Sequence, residues 1–352
     1  MNVSRNGPGL ALAAAILFGL SAPAAKLLAG TVDPWLLAGL LYLGSGIGLG
    51  LYRLTQRLLG HMAPEASLRR QDLPWLGGAI IVGGVIGPVL LMYGLAAGTA
   101  VQSALLLNRE GVFTALLAWS FFRENFDARI AVGMASITVG AAVLSWKPAE
   151  AFALDASALL VTGACLAWAI DNNLTRNVSG GDPLQIAALK GIVAGSINIL
   201  LAVVQQAPWP NSAATLGAGV VGFLGYGTSL ALFVLALRLL GVARTGAYFS
   251  TAPFVGAIAG AIALHESLTW QAFLAAALMG AGVWLHLIER HEHDHQHEVL
   301  EHTHAHIDDE HHQHAHAPGT LRGEPHSHPH VHGSLSHSHP HFPDLHHRHH
   351  HL

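Results

Sequence analysis

The sequence predicts an all-α membrane protein of about ten transmembrane helices, arranged as two inverted five-helix repeats. Three observations predict it. Hydrophobic residues make up 52% of the 352 positions and charged residues only 11%, against roughly 25% charged in a soluble domain. Up to about His286 the chain is a succession of apolar blocks. Each is long enough to cross a hydrocarbon core of about 30 Å as a helix rising about 1.5 Å per residue. The sequence also resembles itself at an offset of 142 residues.

The apolar blocks place spans near 9–28, 34–53, 74–97, 100–121, 128–146, 156–175, 184–204, 213–236, 243–264 and 269–288. Glycine, 39 in the whole chain, and alanine are abundant inside them and let helix backbones approach closely, where lipid supplies no hydrophobic drive for association. Turn chemistry separates the blocks at Asp33-Pro34, Lys147-Pro148, Gly180-Gly181-Asp182-Pro183 and Pro208-Trp209-Pro210. Arg5 followed by an apolar stretch and Ala22-Pro23-Ala24 has the outline of a cleaved signal peptide. The stretch is long enough to span, however, and nine further blocks follow it. The single cysteine, Cys165, sits inside an apolar block and fits a small buried side chain.

Cytoplasmic loops collect Lys and Arg. With ten spans and a cytoplasmic N-terminus, one side holds Arg5, Arg53, Arg57, Arg69, Arg70, Arg123, Arg129, Arg176, Arg238, Arg244 and Arg290. The other holds only Lys147. This bias predicts an inner- or plasma-membrane protein with both termini in the cytoplasm.

Residues 103–144 align with 245–286. Glu124 falls on Glu266, Phe113 on Val255 and Gly140 on Gly282; Asp33-Pro34 also corresponds to Asp182-Pro183. The expected units are 1–146, 147–290 and a tail, 291–352. Five spans per half is an odd number, so the halves insert with opposite orientation. Inverted repeats suit a carrier that rocks one half against the other around a midplane site. A duplication kept only for structure is the plainer alternative.

The stretches that close the fourth and ninth spans, FTALLAWSFFRENF with Glu124 and APFVGAIAGAIALHESLTW with Pro253 and Glu266, resemble the drug/metabolite transporter superfamily in its EamA-like branch. Lys26 resembles the basic residue late in that family's first span. The resemblance covers about residues 9–288. Gly111 stands where Pro253 stands in the second repeat, and Asn108-Arg109-Glu110 is more polar than the family pattern. The resemblance implies a ten-helix carrier that exports metabolites, often by exchange or proton coupling.

Ionisable groups inside spans are candidates for function. The set is Lys26, Arg109, Glu110, Asp171 and Lys190, accompanied by Asn108, Asn172, Asn173 and Asn198, with Tyr93 and Gln102 in reach. Each has a structural alternative. Arg109 and Glu110 could fix the bundle through inter-helix ion pairs, Asp171–Asn173 could be a frayed helix end, and Lys190 could snorkel to the surface. Sharing one cavity, these groups would be mildly positive and suit a carboxylate or zwitterion. Glu110 and Asp171 are the candidates for carrying a proton. No phosphate-cradling loop, Ser-His-Asp set or paired-carboxylate site is present, so we expect no catalytic residues, no required cofactor, no ATP-driven pumping and no nucleic-acid partner. A homodimer stays open.

Residues 291–352 hold 23 of the 26 histidines. They read HEHDHQH (His291, His293, His295, His297), HTHAH (His302, His304, His306), HHQHAH (His311, His312, His314, His316), HSHPHVH (His326, His328, His330, His332) and HSHPH (His337, His339, His341), before a terminal HHRHHH. With so few apolar residues the tail is expected to be disordered. Imidazole is a common ligand of zinc, nickel, cobalt and copper, so the tail is expected to bind such ions.

The leading expectation is a secondary transporter exporting a small organic carboxylate or zwitterion. The alternative is a divalent transition-metal exporter with the tail as collector or sensor. Between them lies transport of a metal–chelator complex. A membrane-anchored metal binder is the remaining option, but ten spans exceed what anchoring needs.

Overall fold

The computed structural model describes residues 7–60, 68–122, 128–146, 155–178, 182–240, 245, 248–287 and four short segments of the tail. The helices are α1 (Gly7–Ala29), α2 (Pro34–Leu58), α3 (Leu73–Ala79), α4 (Gly87–Ala97), α5 (Ala100–Leu106), α6 (Arg109–Phe122), α7 (Ala128–Ser145), α8 (Ala156–Arg176), α9 (Pro183–Val204), α10 (Ser212–Val221), α11 (Ser229–Leu240), α12 (Ala252–Ala263) and α13 (Trp270–Leu287). Joined through their short breaks, they make ten helical stretches among the described residues. A π-helical turn, Ile80–Ile86, joins α3 to α4, and a second, Gly222–Thr228, joins α10 to α11. The fourth span is α5 and α6, interrupted at Leu107-Asn108.

Five helical stretches are long and apolar enough to cross a membrane by length and composition: Gly7–Ala29, Pro34–Leu58, Arg70–Ala97, Leu184–Val204 and Ser212–Phe233. The second runs past the expected end at 53. Arg53 does not stop it, because its guanidinium turns back to Asp182, 2.8 Å away.

The repeat is visible in local chemistry. Asp33 caps α2, its Oδ1 accepting from the Trp35 and Leu36 amides at 2.9 and 3.2 Å. Asp182 caps α9 in the same way, accepting from Leu184 and Gln185 at 2.9 and 3.2 Å. Proline follows at the first helical position in both, where its missing N–H costs nothing.

Packing shows the same two-fold relation. In the α7–α13 seam, Gly140 lies against Ala275 and Met279, while Gly282 lies against Gly133 and Ile137. Every residue of the second contact is the 142-offset counterpart of one in the first, so the seam is isologous, as in a two-fold dimer. Ser136 donates to the carbonyl of Leu278, its own counterpart, at 2.6 Å, which places the pseudo-axis there. In the α2–α9 seam, Gly46 meets Gly191 and Ile192, and Gly195 meets Gly39 and Leu43. Gly191 and Gly195 form a small-xxx-small pair that lets the backbones touch. The two π turns are also 142 residues apart. A π turn widens the hydrogen-bond ladder and leaves carbonyls to bond elsewhere.

Four short segments of the tail are described. β1 (Glu292–Gln296) pairs antiparallel with β4 (Ser336–Pro340), and β2 (Leu300–His306) with β3 (His326–His332). These are two separate two-stranded ladders among the described residues. Alternation of His with other residues has the period of a strand. His291, His297, His311, His312, His314, His316 and His341 lie outside the described residues.

Candidate functional site

The two halves meet at an aromatic box. Phe18 on α1 lies 6.5 Å from Trp168 on α8, 6.0 Å from Tyr226 in the second π turn and 5.4 Å from Phe249 (ring centroids). Tyr42 on α2 lies 5.6 Å from Tyr226. The polar ends of the box converge on the first π turn. Tyr42 Oη and Trp168 Nε1 both donate to the Gly83 carbonyl, each at 2.9 Å, and Asn198 Nδ2 donates to the Gly84 carbonyl at 3.1 Å. These are carbonyls that a regular helix would keep for itself. Asn198 is fully buried, and its Oδ1 has no partner.

Beside the box sits an ion pair. Lys190 Nζ donates to both carboxylate oxygens of Asp171, at 2.6 and 2.5 Å. Thr175 donates to the same carboxylate at 2.8 Å. Asp171 packs on Gly83, where a Cβ would overlap its side chain. Only 5% of Asp171 is exposed. A buried pair is held together because removing either partner strands the other charge away from water. At the next residue of α8, Asn172 Nδ2 donates to Glu110 Oε1 at 2.8 Å and lies 3.5 Å from Thr114. Asn173 donates to the Ala169 carbonyl at 2.8 Å and lies 3.5 Å from the Thr114 carbonyl.

The structure thus brings Glu110, Asp171, Asn172, Asn173 and Lys190 together along α6, α8 and α9. It places the other sequence candidates elsewhere. Lys26 donates to the carbonyls of Leu95 and Gly98, both at 2.5 Å, and so closes the C-terminus of α4. Gly98 lies against Ser157 at the start of α8. Asp171 is fourteen residues further along that helix, roughly 21 Å away at 1.5 Å per residue. Arg109 donates to Thr162, nine residues before Asp171. Asn108 donates to the Leu105 carbonyl at 3.0 Å, where the fourth span breaks. Tyr93 is 39% exposed, on the outer face of α4. Gln102 donates to Asp155 at 2.6 Å.

Two roles escaped sequence reasoning. The Glu266 carboxylate accepts from the amides of Ala100 and Val101, both at 2.8 Å, and caps α5. The acidic residue closing the ninth span is therefore a tie between the halves. The second is the aromatic box: Tyr42, Trp168 and Tyr226 are ordinary apolar-span residues in sequence, and only the helix crossings bring them together.

Paired five-span halves related by a pseudo-two-fold axis, with a polar group at their junction, define an integral membrane carrier. The sequence matches the EamA-like transporter family over residues 5–146 and 156–288, one match per half, and the chain belongs to that family. It is 28% identical over 290 residues to an uncharacterized transporter of Methanothermobacter thermautotrophicus, covering 78% of this chain and 84% of that protein. Its fold is similar to a crystal structure of a protein at a TM-score of 0.58 and 16% identity, over 80% of this chain and 96% of the other.

Proposed function

We propose that the chain is a secondary carrier that exports a small zwitterionic or carboxylate-bearing metabolite by alternating access. One observation carries this reading: the buried Asp171–Lys190 pair beside the aromatic box, at the first of two symmetric π turns. A zwitterion can exchange that internal pair for two of its own, its ammonium on Asp171 and its carboxylate on Lys190. The box would then take its apolar part. The π turns are points where each half can change its helix path, as a rocking mechanism requires. The excess of Arg on one side supports cytoplasmic termini, and export is the direction that the family resemblance implies.

Glu110 is the better proton carrier of the two carboxylates, because Asp171 already has Lys190 as its counter-ion. The metal-export alternative gains no comparable support. Among the described residues, no three His, Cys, Asp or Glu side chains gather as a metal would need.

The test is counterflow in proteoliposomes loaded with a panel of amino acids and small carboxylates, and separately with zinc or nickel. The expected result is counterflow of a zwitterion or carboxylate, abolished by Asp171→Asn. Counterflow of metal alone, or solute flux indifferent to both Asp171 and Lys190, would overturn the proposal.

A further inference from the structure

Two carboxylates that the candidate site does not use converge on the start of α5. Glu266 accepts from the Ala100 and Val101 amides, both at 2.8 Å, and Asp155 Oδ2 accepts from Gln102 Nε2 at 2.6 Å. Glu266 and Asp155 lie in the second half of the chain and α5 in the first. One half therefore grips three consecutive residues of the other. Hydrogen bonds to carboxylates are roughly twice as strong as those between neutral groups. We propose that α5 is a gate of the carrier at this end of the bundle, hinged at Leu107-Asn108 and latched by Glu266 and Asp155.

The other end of α5 is built to bend. The helix stops at Leu106 and α6 begins at Arg109. Side chains take up the carbonyls at that break. Asn108 Nδ2 donates to Leu105 at 3.0 Å, and the Cys165 thiol lies 3.6 and 3.9 Å from the Leu106 and Leu107 carbonyls. A hinge is a few residues at an element's end that absorb the change in backbone angles. Between latch and hinge, α5 rests on a smooth surface, with Ala104 against Gly256 and Ala100 against Gly260 of α12. An apolar cavity of about 150 Å³ borders Val101 and Leu105, against Ala257, Ile258 and Phe273, and leaves the segment room to move. Ser103, in the middle of α5, is fully buried, and its hydroxyl has no hydrogen-bond partner among the described residues. A buried hydroxyl without a partner costs free energy. Opening α5 to water removes that cost, so the two carboxylates hold the closed position against it.

The gate presupposes the carrier reading, but its test needs no solute, so failure of counterflow and failure of the gate are read separately. The full chain is purified in detergent with Cys165→Ala as background, and a charged maleimide reports which thiols meet water. Ser103→Cys is the reporter on α5, and Ala104→Cys, also buried there, is a second one. Both should react slowly. Adding Glu266→Gln, or Asp155→Asn, should raise their rates about tenfold, the size of effect that loss of a hydrogen bond to a charged group has on an equilibrium. Asp155→Asn keeps the cap that Asp155 Oδ1 places on the Ser157 amide, since asparagine caps as well as aspartate. Ala141→Cys, as deeply buried on α7, should stay within about twofold in both variants, as independent sites do. Reporter rates that either carboxyl variant leaves unchanged, or an Ala141→Cys rate that rises in step with them, would overturn the proposal.

Discussion

Consider breaking the Asp171–Lys190 pair one partner at a time. The two side chains are 7% and 13% exposed, so water screens neither. Lys190→Met leaves the Asp171 carboxylate with Thr175 as its remaining partner. Removing one member of a buried pair costs about 3–5 kcal/mol, because the other charge stays buried and uncompensated. Asp171→Leu strands the ammonium in the same way. The double variant removes both charges, and well-packed apolar replacements of a buried pair are often neutral or stabilising. The cycle should therefore be strongly non-additive, with a coupling at the upper end of the ~0.5–3 kcal/mol usual for contacting residues. Cys165 provides the assay, since it is the one cysteine and is buried. A thiol-reactive dye then follows unfolding in detergent over a denaturant series. Additive single effects below about 0.5 kcal/mol would refute the reasoning, because they are what an exposed, screened pair gives. Counterflow by the double variant separates the two roles. Restored stability without flux marks the pair as a ligand site. Restored stability with flux marks it as structural.

Other outcomes follow from the same contacts. Lys26→Met frees two carbonyls at the end of α4 and should cost roughly 1–3 kcal/mol in the same unfolding assay, with the preference among solutes unchanged. Glu266→Ala strips the cap from α5 and should cost about 1–2 kcal/mol, most of it recovered by Glu266→Asp only if the shorter side chain still reaches Ala100 and Val101. Gly140→Leu and Gly282→Leu overpack one seam and should each destabilise by about 1–3 kcal/mol, Gly282→Leu the more, because a Cβ there meets the Gly133 carbonyl oxygen at 2.5 Å whereas at Gly140 the nearest atom is a Met279 side-chain carbon at 3.0 Å. Dye-detected stability unchanged by either variant would count against the close packing of this seam. Glu110→Gln should leave solute counterflow intact and remove its response to an imposed pH gradient; an undiminished response would exclude Glu110 as the proton carrier.

The sequence was informative where one residue type has one local consequence. Asp-Pro before an apolar block means a capped helix start, and both Asp33 and Asp182 behave so. The 142-residue offset carried the architecture, because equivalent glycines must meet equivalent partners across an axis. Polar residues within spans stand out in the sequence, but their partners were not legible. Lys26, Arg109 and Lys190 are alike in a hydropathy plot, yet one caps a helix, one bonds a threonine and one pairs with a carboxylate. Those outcomes depend on helix crossings and on depth along α8. The π turns were illegible for another reason: Ile80–Ile86 and Gly222–Thr228 have the composition of any apolar helix.

What the two halves do not share is as informative as what they share. Gly83 and Gly225 are counterparts in the two π turns; Asp171 packs on the first and Ser21 on the second. Ser21 donates to the Phe18 carbonyl of its own helix at 2.6 Å and is a neutral hydrogen-bond partner of Tyr226. By the offset of the two Asp caps, the counterpart of Lys190 is Leu41, and by the 142-residue offset that of Glu110 is Ala252. Caps, seams and π turns are thus duplicated, while every charge of the candidate site belongs to one set of positions. Duplicated features give the halves two interchangeable packings of similar energy, which rocking requires. A charge pair costs desolvation wherever it is buried, and a second copy at Ser21 and Leu41 would double that cost without adding a second solute. Under the proposed mechanism, symmetry would account for the motion, and its local breaking at Asp171, Lys190 and Glu110 for recognition.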